Sequence, residues 1–344
     1  MKSLDQIEPR TAITSLPITI STPGSYYLTG NLTATADGTA ITIAADNVTI
    51  DLNRFTLSGG NTGTRRGIDV PTARKNLCVR NGTLTGWTNN AISALNMIGG
   101  VYENLRVSGN VTPISINAGD GAMVRGCVVT GNDGNISSPA LLVGNNSSVL
   151  DCTVSFNTGF GIQTTVGCNI VNTTASQNTG HGIYAGGNST VAQCTASGNG
   201  ADGILASTGT TVTDCTASGN DNGIETFGAN TVSRCSVYAN ARSGLSISNF
   251  CQVTGCTAAI NNISSTNSQA GLKVTGTGNR IDSNHFANNN FAGLYVPTVG
   301  NTIIRNTFYG AQSIVDPGNI SGPGIVMSSG GIIANTNPWA NIYY

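Results

Sequence analysis

Four charged side chains, Asp202, Asp221, Glu225 and Arg242, recur at intervals close to 20 residues, with His181 and Tyr184 one interval earlier. If a repeat stacked them, three carboxylates would share one patch of surface. Carboxylates held that close repel one another and raise the proton affinity of at least one, unless a cation relieves them. Arg242 is one such cation. Calcium is another, and Asp202, Asp221 and Glu225 are the oxygen ligands it would take, with backbone carbonyls completing the shell. A guanidinium keeps its charge in nearly every setting, so Arg242 anchors an anion better than it accepts a proton. The group therefore points to ligand binding ahead of turnover, and no residue receives a catalytic role. Solvated surface charge is the competing reading.

These residues meet only if the chain repeats. The segments 190–199 (TVAQCTASGN) and 211–220 (TVTDCTASGN) match almost letter for letter at an offset of 21. Taking their Cys as reference, the column runs Gly82, Leu105, Cys127, Cys152, Thr173, Cys194, Cys215, Cys235, Cys256, Asn284 and Asn306. Three residues earlier every coil from Val124 to Ile303 has Val or Ile. About nine residues later a Gly-aliphatic step recurs, with Ile68, Ile92, Ile114, Leu141, Ile162, Ile183, Ile204, Ile224, Leu245, Leu272, Leu294 and Ile325. Short β-branched runs at this period, without helical spacing, predict an all-β solenoid of about twelve coils, each with three short parallel strands. Five residues after the reference, Asn occupies nine successive coils from Asn110 to Asn289. Asn tolerates the left-handed conformation of a sharp turn, and stacked carboxamides can bond along the axis.

The aliphatic columns, the Gly-Ile strand starts and the Asn column together resemble the pectate-lyase-like superfamily of right-handed parallel β-helix proteins, over roughly residues 40 to 310. The resemblance is specific for fold. It implies a carbohydrate-interacting protein that binds or cleaves an acidic polysaccharide; an enzyme of this kind would be a polysaccharide lyase or a glycoside hydrolase. The same scaffold also serves as a structural or adhesive stalk, surface or fibre protein without catalysis. By analogy with the superfamily the protein is expected outside the cell or at its surface. The segment Gly180-His181-Gly182-Ile183 is similar to the histidine segment of polygalacturonase-type hydrolases. The corresponding turn one coil earlier, Thr158-Gly159-Phe160, lacks the acidic pair such a hydrolase needs.

Composition sets the remaining bounds. Only 9% of residues are charged and the net charge is −1, which argues against nucleic acid. No apolar run is long enough to insert in a membrane, and the amino terminus as given lacks the basic-then-apolar layout expected of a secretory signal. No cofactor is required. Six of the nine cysteines share the reference column and are expected as buried free thiols, since in-register side chains rarely reach disulfide torsion. Residues 1–39 read as an N-terminal cap with opening strands, including a short capping helix over 3–8. Residues 40–310 form the solenoid, and 311–344 form a C-terminal cap carrying Trp339, Tyr343 and Tyr344. Extra residues gather in loops 60–66, 133–139, 262–270 and 311–323, where a ligand would be met.

Overall fold

The computed structural model describes residues 10–265, 267–310, 312–326 and 337–344. The capping helix expected over 3–8 lies outside them. Among the described residues every regular element is a β-strand, mostly three to five residues long. Two compact units divide the chain: Met1–Thr174 with Asn178–Gly180, and Ala175–Gln177 with His181–Tyr344.

Each unit is built from coils of three strands. One strand per coil belongs to a ladder with a seven-rung run in each unit: from Ile18–Ile20 to Phe160–Thr164 in the first, and from Ile183–Ala185 to Ser313–Val315 in the second. The fold is thus the expected parallel solenoid, with about fourteen coils in place of twelve. The two additional rungs, Ile18–Ile20 and Gly38–Ile43, precede the recognisable column. The other two strands of each coil flank the reference column, as Thr211–Thr213 and Thr216–Ser218 flank Cys215.

Register follows the inward columns. Val191 pairs with Val212 and Val212 with Val232, and all three are fully buried. Two positions differ from expectation. Ile116, not Ile114, pairs with both Ile92 and Leu141, because Ile114 lies in the preceding turn. Ile325 pairs with Ile342 in the other sheet, and the rung after Leu294–Val296 is Ser313–Val315. Both slips come from loops of irregular length just before the strand.

The two polar columns hold the corners. In the second unit Asn199, Asn220, Asn240 and Asn261 each donate through Nδ2 to the Oδ1 of the next Asn, at 3.0, 3.2, 2.9 and 3.0 Å, ending on Asn289. Their Nδ2 groups also donate to backbone carbonyls of the preceding coil, such as Ala217 O from Asn240 at 3.1 Å. The left-handed turn residue is not the Asn itself but the residue before it: Gly198, Gly219, Ala239 and Ile260 carry φ of 63, 66, 51 and 54°. The carboxamide is selected for its hydrogen bonds, and the turn tolerates even a β-branched residue. All nine cysteines are free, and the six in the reference column are buried. The Cys215 thiol donates to Thr213 O at 3.2 Å. Neighbouring thiols and burial push its proton affinity up, which keeps it a neutral filler.

The second unit ends on the chain's own tail. Asn341–Tyr343 adds as a parallel strand beside Thr307–Tyr309, Asn341 extends the carboxamide row of Asn284 and Asn306, and the Tyr343 ring stacks on Phe308 at 4.6 Å.

Candidate functional site

All six sequence candidates lie in the second unit, around the strand starts of four consecutive coils. The glycine before each strand is set by the core: a Cβ on Gly203 or Gly223 would come within 2.8 Å of the Asn column. The strand then begins on a buried aliphatic residue, and the next side chain faces out. Registered pairs place Tyr184, Leu205, Glu225, Ser246, Lys273 and Tyr295 in one outward row. At the spacing of parallel strands its five steps cover about 24 Å.

Asp202 is 7% exposed. Its Oδ1 accepts from Asn222 Nδ2 at 2.9 Å, and its Oδ2 lies 3.2 Å from His181 Nδ1. The Asp202 backbone N–H also donates to that Nδ1 at 3.2 Å, so a neutral His181 carries its proton on Nε2. His181 thus finds its acid on the following coil, where the polygalacturonase comparison sought acids on the preceding one. The His181 and Tyr184 rings are tilted against each other, 6.4 Å apart.

Asn222 joins Asp202 to Glu225. The same Nδ2 donates to Glu225 Oε2 at 3.0 Å, and its Oδ1 accepts from Ser243 N–H at 3.1 Å. Burial, with the Asp202 carboxylate as a second cause, pushes the Glu225 carboxyl above the usual carboxylate range. Lys273, two coils further, is pushed below the ordinary ammonium value by burial and by Arg242. Arg242 itself donates to Asp221 Oδ2 at 3.1 Å in an exposed pair.

The structure therefore joins Asp202 and Glu225 through Asn222, sets His181 beside Asp202, and keeps Asp221 with Arg242 as a separate ion pair. Among the described residues no three His, Cys, Asp or Glu side chains are grouped to hold a metal. Asp214 and Arg234, on consecutive coils in the bends just before Cys215 and Cys235, pair with each other at 2.7 Å. Asn222, Lys273 and Tyr295 escaped the sequence reading. The residue after each buried strand-start aliphatic was their signal for Lys273 and Tyr295, masked by the loop 262–270. That loop is pinned from inside: Asn262 Nδ2 donates to Gln269 O at 3.2 Å, and Ser243 Oγ donates to Gln269 Oε1 at 2.7 Å.

A family model described as a right handed beta helix region matches residues 66–213 and 140–261, together more than half of the chain. The chain belongs to the right-handed β-helix family. No curated protein matches the sequence. Among solved structures, this β-helix is similar to the A-module of the mannuronan C-5 epimerase AlgE4 of Azotobacter vinelandii, with 12% identity and TM-score 0.51, covering 91% of this chain and 88% of that one. It is also similar to a double-mutant tailspike protein of E. coli bacteriophage HK620 in complex with pentasaccharide, with 13% identity, TM-score 0.54 and coverage of 93% and 72%. The Dettilon tailspike protein gives 14% identity, TM-score 0.50 and coverage of 93% and 62%. At these identities the likeness concerns the β-helix fold. No helix among the described residues is long and apolar enough to cross a membrane.

Proposed function

We propose that the protein binds an acidic polysaccharide along the outward row from Tyr184 to Tyr295. The observation that carries this reading is the row itself: an aromatic ring at each end, with the covered Leu205 and then Glu225, Ser246 and Lys273 between them at successive coils. Aromatic faces suit the C–H faces of sugars, and carboxyl and hydroxyl groups pair with sugar hydroxyls. Lys273 and Arg242 would meet the acidic groups. Two of the structures named above support the reading by analogy, one being an epimerase of mannuronan and the other holding a pentasaccharide.

A second reading, turnover at the same row, is favoured by one specific observation. Glu225 is pushed toward the protonated form and Lys273 toward the neutral form, an opposed displacement that suits an acid and a base. Binding to immobilised oligogalacturonate and oligomannuronate, assayed with and without calcium and beside detection of new unsaturated ends, separates the two. Retention without new ends supports the binding module, and new ends support turnover. Absence of both in every acidic polymer rejects the row as a saccharide site and leaves the structural or adhesive role.

A further inference from the structure

The first unit carries an open cleft of about 360 Å³ lined by Arg54, Asn81, Gly82, Thr83, Asn104 and Arg106. It lies on neighbouring coils, since Thr83 pairs in register with both Thr56 and Arg106. Arg54 enters from a turn in which it and Asn53 both hold positive φ, 66 and 53°. For an arginine that conformation costs on the order of 1 kcal/mol, and the Arg54 N–H bond to Asn81 O at 2.6 Å ties the turn to the next coil. Gly82 is required by the interior, where a Cβ would meet Leu52 Cβ at 2.3 Å.

The charges around this cleft are unbalanced. Arg80 and Arg10 share Asp51, at 3.2 and 3.7 Å, and Arg125 pairs with Glu103 at 2.7 Å. Both nearby carboxylates are therefore taken. Among the described residues Arg54 and Arg106 have no ion-pair partner, although they line one cleft in a chain whose net charge is −1. Both guanidiniums are exposed and unpaired, which leaves their N–H groups open to an anion entering the cleft. The neighbouring amides are engaged with protein partners: Asn81 Nδ2 donates to Asp51 Oδ1 at 3.3 Å, and Asn104 Nδ2 lies 3.5 Å from Asn81 Oδ1.

We propose that this cleft binds a small oxyanion group, a carboxylate, sulfate ester or phosphate, held between the Arg54 and Arg106 guanidinium forks with the Thr83 hydroxyl as a further donor. Guanidinium presents paired N–H groups that match two oxygens of such an anion, and the cleft volume lies in the range of small-ligand sites. The site is on a different unit and a different sheet from the row bearing Glu225, so neither reading depends on the other.

The test uses the full chain in titration calorimetry with three probes, sodium sulfate, sodium phosphate and digalacturonate, at constant ionic strength set with sodium chloride. Saturable binding of at least one probe is expected, and the probe that binds identifies the source of the oxyanion. Arg54→Gln and Arg106→Gln should each weaken it by about tenfold or more, the loss expected for one charge-assisted contact of about 1.4 kcal/mol. Arg125→Gln, which removes a neighbouring cation that is already paired, should bind as the wild type does. Thermal melts of each variant without probe check that the coils remain intact. The proposal is overturned if no probe binds above chloride, or if Arg125→Gln weakens binding as much as the two cleft variants do.

Discussion

Asn222 Nδ2 stands 3.0 Å from Glu225 Oε2, and the same nitrogen stands 2.9 Å from Asp202 Oδ1. One primary amide has two N–H bonds, and here each carboxylate takes one. The bridge holds two acids side by side on adjacent coils. Replacing Asn222 by Ala leaves both without that donor and frees the Ser243 N–H as well. The expected loss is about 2–3 kcal/mol at pH 7, shrinking toward pH 4 as Glu225 takes a proton. Denaturant titrations at the two pH values check it, and an equal loss at both would deny the electrostatic part.

Glu225 gives a pH signature of its own. Its folded proton affinity is raised above that of an ordinary glutamate, chiefly by burial, so the unfolded chain releases that proton at lower pH than the folded one. Stability linked to the group is complete below the unfolded value and declines as pH rises through the folded one. Glu225→Gln removes that decline. The variant should melt above the wild type at pH 7 and converge with it below about pH 4, the unperturbed carboxyl range. A constant offset across the range would contradict the shift.

The inward half of each coil was legible in the sequence because burial repeats with the chain. Val191, Val212 and Val232 must all face the interior, so their spacing records the coil directly. The Asn column was equally plain, but its task was misassigned in part. Its side-chain bonds occur as expected, whereas the left-handed turn falls one residue earlier, at Ala239 before Asn240 for example. The outward half was harder. Arg242 reaches Asp221 and not Glu225, and Asp202 turns to His181 and Asn222, because exposed side chains choose among several partners within reach. Lys273 joined the row only once register carried it past the irregular loop 262–270.

The carboxamide row supplies a stability test away from the site. Asn240 is fully buried, donates to Asn261 Oδ1 and Ala217 O, and accepts from Asn220 N–H and Nδ2. Asn240→Ala strands polar groups on the two neighbouring coils and should cost more than about 3 kcal/mol, since each unsatisfied buried group costs about 1–3 kcal/mol. Asn249→Ala, at an exposed corner, serves as the comparison. Equal losses from the two would show that the row does not bear on stability.

The thiol row is tested by size and charge. Cys215 is 1% exposed, so Cys215→Ala removes only a small apolar volume and should cost about 1 kcal/mol. Cys215→Asp must bury an ion with no partner in the row and should abolish cooperative folding at pH 7. Slow labelling of eight of the nine thiols in the native state, with Cys78 the faster one, is expected alongside.

The central claim is that saccharide lies along the outward row, and calorimetry of an oligogalacturonate and an oligomannuronate with the wild type and with Lys273→Ala and Tyr295→Ala tests it most directly. The account predicts saturable binding by the wild type to at least one of the two. Each variant should weaken it by about tenfold, or about 1.4 kcal/mol, with melting temperatures nearly unchanged because both side chains lie on the outer face. Binding of equal strength by all three proteins, or no binding by the wild type, would contradict it.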